Sequence, residues 1–190
     1  MEPHLYIFGD SYLDSIHISE YGKILTDNFI IHNHALESSS EYRIYNTFLS
    51  NKDNLIKKNH YYLIGHTTST RLYTPEKPID ITGYDKLEKI YGKGYEKLYY
   101  DLLHPQYYWD FIYKSIGKHY DIEFKDSNNV IHFYWHKNPS YICKSGKSIH
   151  INQFDKNYNF YKDKHKSSNH MEPILINKLL SFIKKEFLYE

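Results

Sequence analysis

Short apolar runs alternate along this chain with amphipathic stretches. Leu5-Tyr6-Ile7-Phe8 is too short for a helix and rich in aromatic and β-branched residues, which predicts a buried strand ended by Gly9. Over 12–26, Leu13, Ile16, Ile18, Ile24 and Leu25 make an imperfect helical pattern that Gly22 breaks. Phe29-Ile30-Ile31 opens a second strand that runs to Ala35. A serine at 38, 39 or 40 then caps a helix over 41–55, with Glu41 near its positive end and Tyr42, Tyr45, Phe48 and Leu49 on one side. Tyr61–Ile64 is a third strand ending at Gly65, Val130–Trp135 a fourth, and Ser148–Phe154 a fifth. The last helix spans Pro173–Leu188, its apolar face formed by Ile174, Leu175, Leu179, Phe182, Ile183 and Phe187, with Pro173 suited to the first turn.

The order strand, helix, strand, helix, strand with short crossovers implies parallel pairing. The expected fold is α/β: a three-layer α/β/α sandwich with a mostly parallel sheet of about five strands, in one domain. Pro75, Pro78 and Gly83 mark a loop, and 155–168 reads as a polar loop. The tyrosine-rich region 84–120 has apolar residues at helical spacing, predicting an insertion of two or three helices. Breaks are expected near Gly92-Lys93-Gly94 and His104-Pro105, and the helices would form one wall of a cleft.

Composition narrows the function classes. With 41% hydrophobic and 25% charged residues, the 190-residue chain can build a core. A formal net charge of +1 supplies no bulk field for nucleic acid or an anionic membrane. No apolar run is long enough to span a bilayer, and Met1–Phe8 lacks the basic and apolar regions of a signal peptide, so a cytoplasmic location is expected. The 22 tyrosines, with many Lys, Asn and Ile, fit AT-rich codon usage, which weakens any reading of each tyrosine as a binding residue. Cys143 is the single cysteine, so no internal disulfide forms, and it reads as a small buried residue. His32 and His34 read as one buried and one exposed imidazole. His132 and His136 share no helical face, and Gly146-Lys147-Ser148 lacks the first glycine of a P-loop. No metal or cofactor site is expected.

Candidate chemistry sits at two distant points. Gly9-Asp10-Ser11 follows the first strand at its carboxyl end, where ligands of open α/β sheets gather, although Asp and Ser there also make ordinary helix caps. Asn169-His170 precedes the last helix. A serine hydroxyl is inert at neutral pH unless an imidazole takes its proton.

Phe8-Gly9-Asp10-Ser11 resembles the first block of the SGNH, or GDSL, hydrolase family, and Asn169-His170-Met171-Glu172-Pro173 resembles its last. Between them, 35–44 and Gly65-His66-Thr67 stand where the family carries its oxyanion residues, and Thr67-Thr68-Ser69-Thr70-Arg71 is similar to a variant third block. The resemblance implies a Ser11 nucleophile and a His170 base, with Asp10, Ser38, Thr67 and Arg71 around the oxyanion and substrate. The N–H groups of Ser11 and Ser38 and the Thr67 hydroxyl would hold an oxyanion, and Arg71 would bind an anionic part of the substrate. Ser167 stands at the family's acid position, which implies a dyad or a substitute carboxylate such as Asp163. The implied activity is hydrolysis of an acetyl or other acyl ester on a small molecule or carbohydrate. The alternatives are acyl transfer, or a non-catalytic protein that binds carbohydrate or nucleotide.

Overall fold

A computed structural model describes residues 2–14, 16, 22–36, 39–52, 59–67, 72–74, 77–81, 92, 94, 106–135, 139–154, 156 and 173–188. Of 72–74, 77–81, 106–109 and 173 it describes the backbone alone. The elements are β1 (His4–Phe8), α1 (Ser11–Asp14), α2 (Lys23–Thr26), β2 (Ile30–Asn33), α3 (Glu41–Asn51) and β3 (His60–His66). They continue with β4 (Leu72–Thr74), β5 (Lys77–Ile81), α4 (Gln106–Glu123), β6 (Val130–Tyr134), β7 (Lys147–His150) and α5 (Pro173–Leu188).

The expected architecture is present. Five strands form one sheet in the order β2-β1-β3-β6-β7, and every pairing in it is parallel. Strands in such a sheet are covered on both faces and so read as continuous apolar runs. β6, Val-Ile-His-Phe-Tyr, is buried at all five positions.

Alternation along the strands divides the core in two. Leu5, Ile7, Leu63, Ile131, Phe133 and Ile149 pack on one face with Leu13 of α1, Leu25 of α2, and Leu175, Leu179, Leu180 and Ile183 of α5. Tyr6, Phe8, Tyr62, Ile64 and Val130 pack on the other with Ile44 and Phe48 of α3 and Ile116 and Tyr120 of α4. The result is helices, sheet, helices. Connections leave β1 toward β2 over the first face and return from β2 to β3 over the second, so the order reverses between β1 and β3. That gap is the topological switch point of this strand order, where open α/β sheets hold their ligands.

Several expectations change in detail. The segment containing Pro75 and Pro78, expected as loop, holds the antiparallel hairpin β4–β5, with an irregular register between Tyr73 and Thr74. The last strand ends at His150, not Phe154. Its imidazole accepts from Asn152 N–H at 3.2 Å and caps a single 3-10 turn over Ile151–Gln153. Helix α3 stops at Asn51. Within 84–120, helix α4 starts just after Pro105 and supplies the crossover from β3 to β6; 95–105, 93 and 82–91 lie outside the described residues. His32 and His34 are both half-buried, not one in and one out, because a two-residue spacing puts His34, just past β2, on the same side as His32. His32 stacks on Tyr6 at 4.4 Å and His34 on Phe8 at 5.1 Å. No described helix is long and apolar enough to cross a membrane.

Candidate functional site at the sheet's carboxyl edge

Gly9 ends β1, and the next residue caps α1. The Asp10 carbonyl accepts from Leu13 and Asp14 N–H, and its Oδ1 accepts from Tyr12 N–H at 3.1 Å. Ser11 is the first residue of α1 and is 6% exposed. Tyr12, its neighbour, stacks on Trp135 from the end of β6 at 4.6 Å. Close approach fixes this corner: a Cβ on Gly65 would stand 2.5 Å from Leu13 Cδ1.

Three loops converge here. Leu36 N–H, after β2, donates to the Gly9 carbonyl at 3.1 Å, and Asn33 Nδ2 donates to the Leu13 carbonyl at 2.9 Å. From β3, Thr67 Oγ1 donates to Asp10 Oδ2 at 3.1 Å. The structure therefore brings Asp10, Ser11 and Thr67 to one edge, at the switch point. Thr67 differs from the expectation in its role. Its hydroxyl hydrogen goes to Asp10 and its N–H to Glu41 Oε2 at 3.1 Å, so as found it braces the loop instead of offering a free oxyanion donor. Ser38, Arg71, Asp163, Ser167 and His170 lie outside the described residues.

Behind this edge lies a polar cluster that the sequence reading missed. Ser40 caps α3 by accepting from Arg43 N–H, which sets Glu41 at the helix's positive end and turns it inward, 5% exposed. Glu41 Oε1 lies 2.6 Å from His66 Nδ1. His66 Nε2 lies 2.9 Å from His132 Nδ1, and His132 Nε2 lies 3.4 Å from Ser145 Oγ. Ser145 Oγ donates to Asp121 Oδ1 at 3.1 Å. Cys143 Sγ stands 4.0 Å from His66 Nε2, and Tyr134 stacks on the His66 ring at 4.4 Å.

Charges in this cluster follow from the neighbours. Burial pulls the His66 imidazole toward neutrality. The Glu41 carboxylate and the Cys143 sulfur outweigh it and hold its pKa up at about 10. Burial, reinforced by the positive His66, pushes His132 well below its ordinary value. In this arrangement His66 is the imidazolium of a buried ion pair with Glu41, and His132 is a neutral acceptor at Nδ1. Asp121, at the outer end, is opposed by burial but held below the usual carboxylate range by the N–H groups of Ser145 and Lys144 and the hydroxyls of Tyr141 and Ser145.

Cys143 is buried, as expected, but it is accompanied by an imidazole. One signal in the sequence could have exposed the cluster: a histidine inside the wholly apolar run of β6 must find polar partners. In comparisons with known proteins, no family model and no curated protein gives a match to this chain.

Proposed function

We propose that this protein is a serine ester hydrolase of SGNH type. Ser11 Oγ attacks the acyl carbon while His170 takes its proton, the collapsing tetrahedral adduct expels an alkoxide that His170 protonates, and water then releases the acyl group from Ser11. The N–H groups of Ser11 and Ser38 hold the oxyanion, and Arg71 binds an anionic part of an acyl-bearing small molecule or carbohydrate. One observation carries this reading: Ser11 opens a helix at the carboxyl end of β1, at the β1/β3 switch point, beside the Asp10–Thr67 brace.

A second reading is favoured by the burial of Ser11 and the engagement of the Thr67 hydroxyl: a protein on this fold that binds carbohydrate or nucleotide without turnover. Hydrolysis of p-nitrophenyl acetate by wild type and Ser11→Ala separates the two, with a fluorophosphonate adduct mapped by mass spectrometry. The hydrolase gives a Ser11 adduct and loses turnover in Ser11→Ala. Equal turnover in the two proteins, or an adduct elsewhere, overturns it.

A further inference from the structure

The cluster behind the candidate catalytic edge has the composition of a metal site. His66 ends β3, His132 sits in the middle of β6, and Cys143 lies on the segment before β7. Their donor atoms all lie within 4.8 Å of one another, and the three residues are 1%, 0% and 4% exposed. Two imidazole nitrogens and one sulfur suit a borderline-soft ion, not calcium or magnesium, which take oxygen.

The far nitrogens strengthen the case. Metal-bound histidines usually donate their other ring N–H to a carboxylate or another oxygen, which fixes the tautomer and aims the free nitrogen at the metal. Here Glu41 Oε1 backs His66 Nδ1 at 2.6 Å, so Nε2 faces the cluster. Ser145 Oγ backs His132 Nε2 at 3.4 Å, leaving Nδ1 for the same point. Both imidazoles thus carry an oxygen behind and point their remaining nitrogens at each other, with the thiol alongside.

Two of the three donor separations are close to what an ion needs. Tetrahedral Zn²⁺, with bonds of about 2.0 Å to nitrogen and 2.3 Å to sulfur, spaces its ligands at about 3.3 Å for N···N and 3.5 Å for N···S. The observed separations are 2.9 Å for His66 Nε2 to His132 Nδ1 and 4.0 Å for His66 Nε2 to Cys143 Sγ. Shifts of about half an ångström bring both into range. A second observation concerns Tyr120, which is 0% exposed and whose hydroxyl has no hydrogen-bond partner among the described residues. Its ring packs edge-on against His66 at 5.6 Å and His132 at 5.8 Å, so a buried side chain that packs on both imidazoles carries an unspent polar group.

The geometry points to a binding site for a thiophilic divalent ion of the Zn²⁺ class, held by His66 Nε2, His132 Nδ1 and Cys143 Sγ, with Glu41 and Ser145 orienting the two imidazoles. The ion takes the place of the proton shared between the rings. That proton and the thiol proton leave to solvent, so the sulfur binds as thiolate. Three protein donors leave one tetrahedral position for water. The ion ties β3, β6 and the β7 approach together beneath the Thr67 loop and is independent of Ser11 chemistry.

Cobalt titration of the full chain tests this. The protein is treated with chelator and reductant, freed of both, and titrated with Co²⁺ alone. Because Cys143 is the single cysteine of the chain, a sulfur-to-cobalt charge-transfer band reports this site and no other. The expected result is that band, with the visible bands of a four-coordinate ion, saturating at one equivalent and bleached by Zn²⁺. Zn²⁺ also raises the melting temperature. Cys143→Ser loses the band, Glu41→Gln weakens binding about 10–100-fold, and exposed His119→Ala changes neither. Folded wild-type protein that shows no sulfur band and no Zn²⁺-dependent rise in melting temperature overturns the proposal. So does a band that persists undiminished in His66→Gln and His132→Gln.

Discussion

The hydroxyl of Thr67, one residue past β3, donates to the carboxylate of Asp10, one residue before α1, at 3.1 Å. This bond closes the two loops that border the switch point, and the same Asp10 carboxylate receives the first turn of the helix carrying Ser11. Removing the hydroxyl therefore loosens the helix start and the loop together. Thr67→Val is expected to lose about 1.5–3 kcal/mol, the usual worth of a hydrogen bond to a charged group. Urea unfolding measures that loss, ester turnover should fall with it, and Thr67→Ser should restore both.

Glu41 balances a buried imidazolium. Glu41→Gln keeps an oxygen for Thr67 N–H but leaves His66 without its counter-charge, and breaking such a pair costs about 3–5 kcal/mol. The pH dependence has a definite sign in chelator-treated, metal-free protein. His66 is raised to about 10 in the fold, above the roughly 6.5 of an unfolded histidine. Its contribution is complete below about pH 6.5 and is lost as the pH climbs through about 10. The stability gap between wild type and Glu41→Gln, read from urea midpoints, should narrow over that interval.

His32 and His34, beside β1, act in the opposite sense. His4 Nδ1 lies 2.9 Å from His32 Nε2, and His4 and Tyr6 both pack against His60. Burial lowers the pKa of His32, with further lowering from His4, His34 and His60 when these are protonated. A folded value below the unfolded one gives stability that is present above about pH 6.5 and lost as the pH falls. His32→Gln should flatten the acid side of the stability profile, measured by urea unfolding from neutral pH downward.

Gly65 couples the sheet to the candidate nucleophile. A methyl group there would meet Leu13 Cδ1 at 2.5 Å, and Leu13 sits two residues beyond Ser11 in α1. Gly65→Ala should cost about 1–3 kcal/mol through overpacking. It should also reduce ester turnover in protein that circular dichroism shows to be folded, because α1 has to move.

Strands β1 and β3 and the last helix were the most legible because their signals are local. Four apolar residues in a row, ended by glycine, leave few options, and α5 begins at the proline expected to start it. The β4–β5 hairpin was hidden by its own prolines, which usually punctuate loops. Ser11 and Thr67 could be nominated from the chain because each directly follows a strand-ending glycine or its neighbour. The Glu41–His66–His132–Cys143 cluster had one such signal, His132 within β6, and no local pattern to join it to the other three. Its members come from the first turn of a helix, the end of one strand, the middle of another and the segment before β7, and only the parallel register, which sets Ile64 beside His132 and His66 beside Tyr134, brings them together.

Parallel pairing also sets the order in which this chain can assemble. Strands β2, β1 and β3 can zip together from the first 66 residues, but β3 meets β6 only after the crossover 67–129 has been made. Until then the β3 edge, with Tyr62, Leu63 and Ile64 along it, is an open row of amides and carbonyls that another copy could join. Closing so long a crossover is slow. A sheet of β2, β1 and β3 alone leaves that edge unpaired, and docking of β6 covers it.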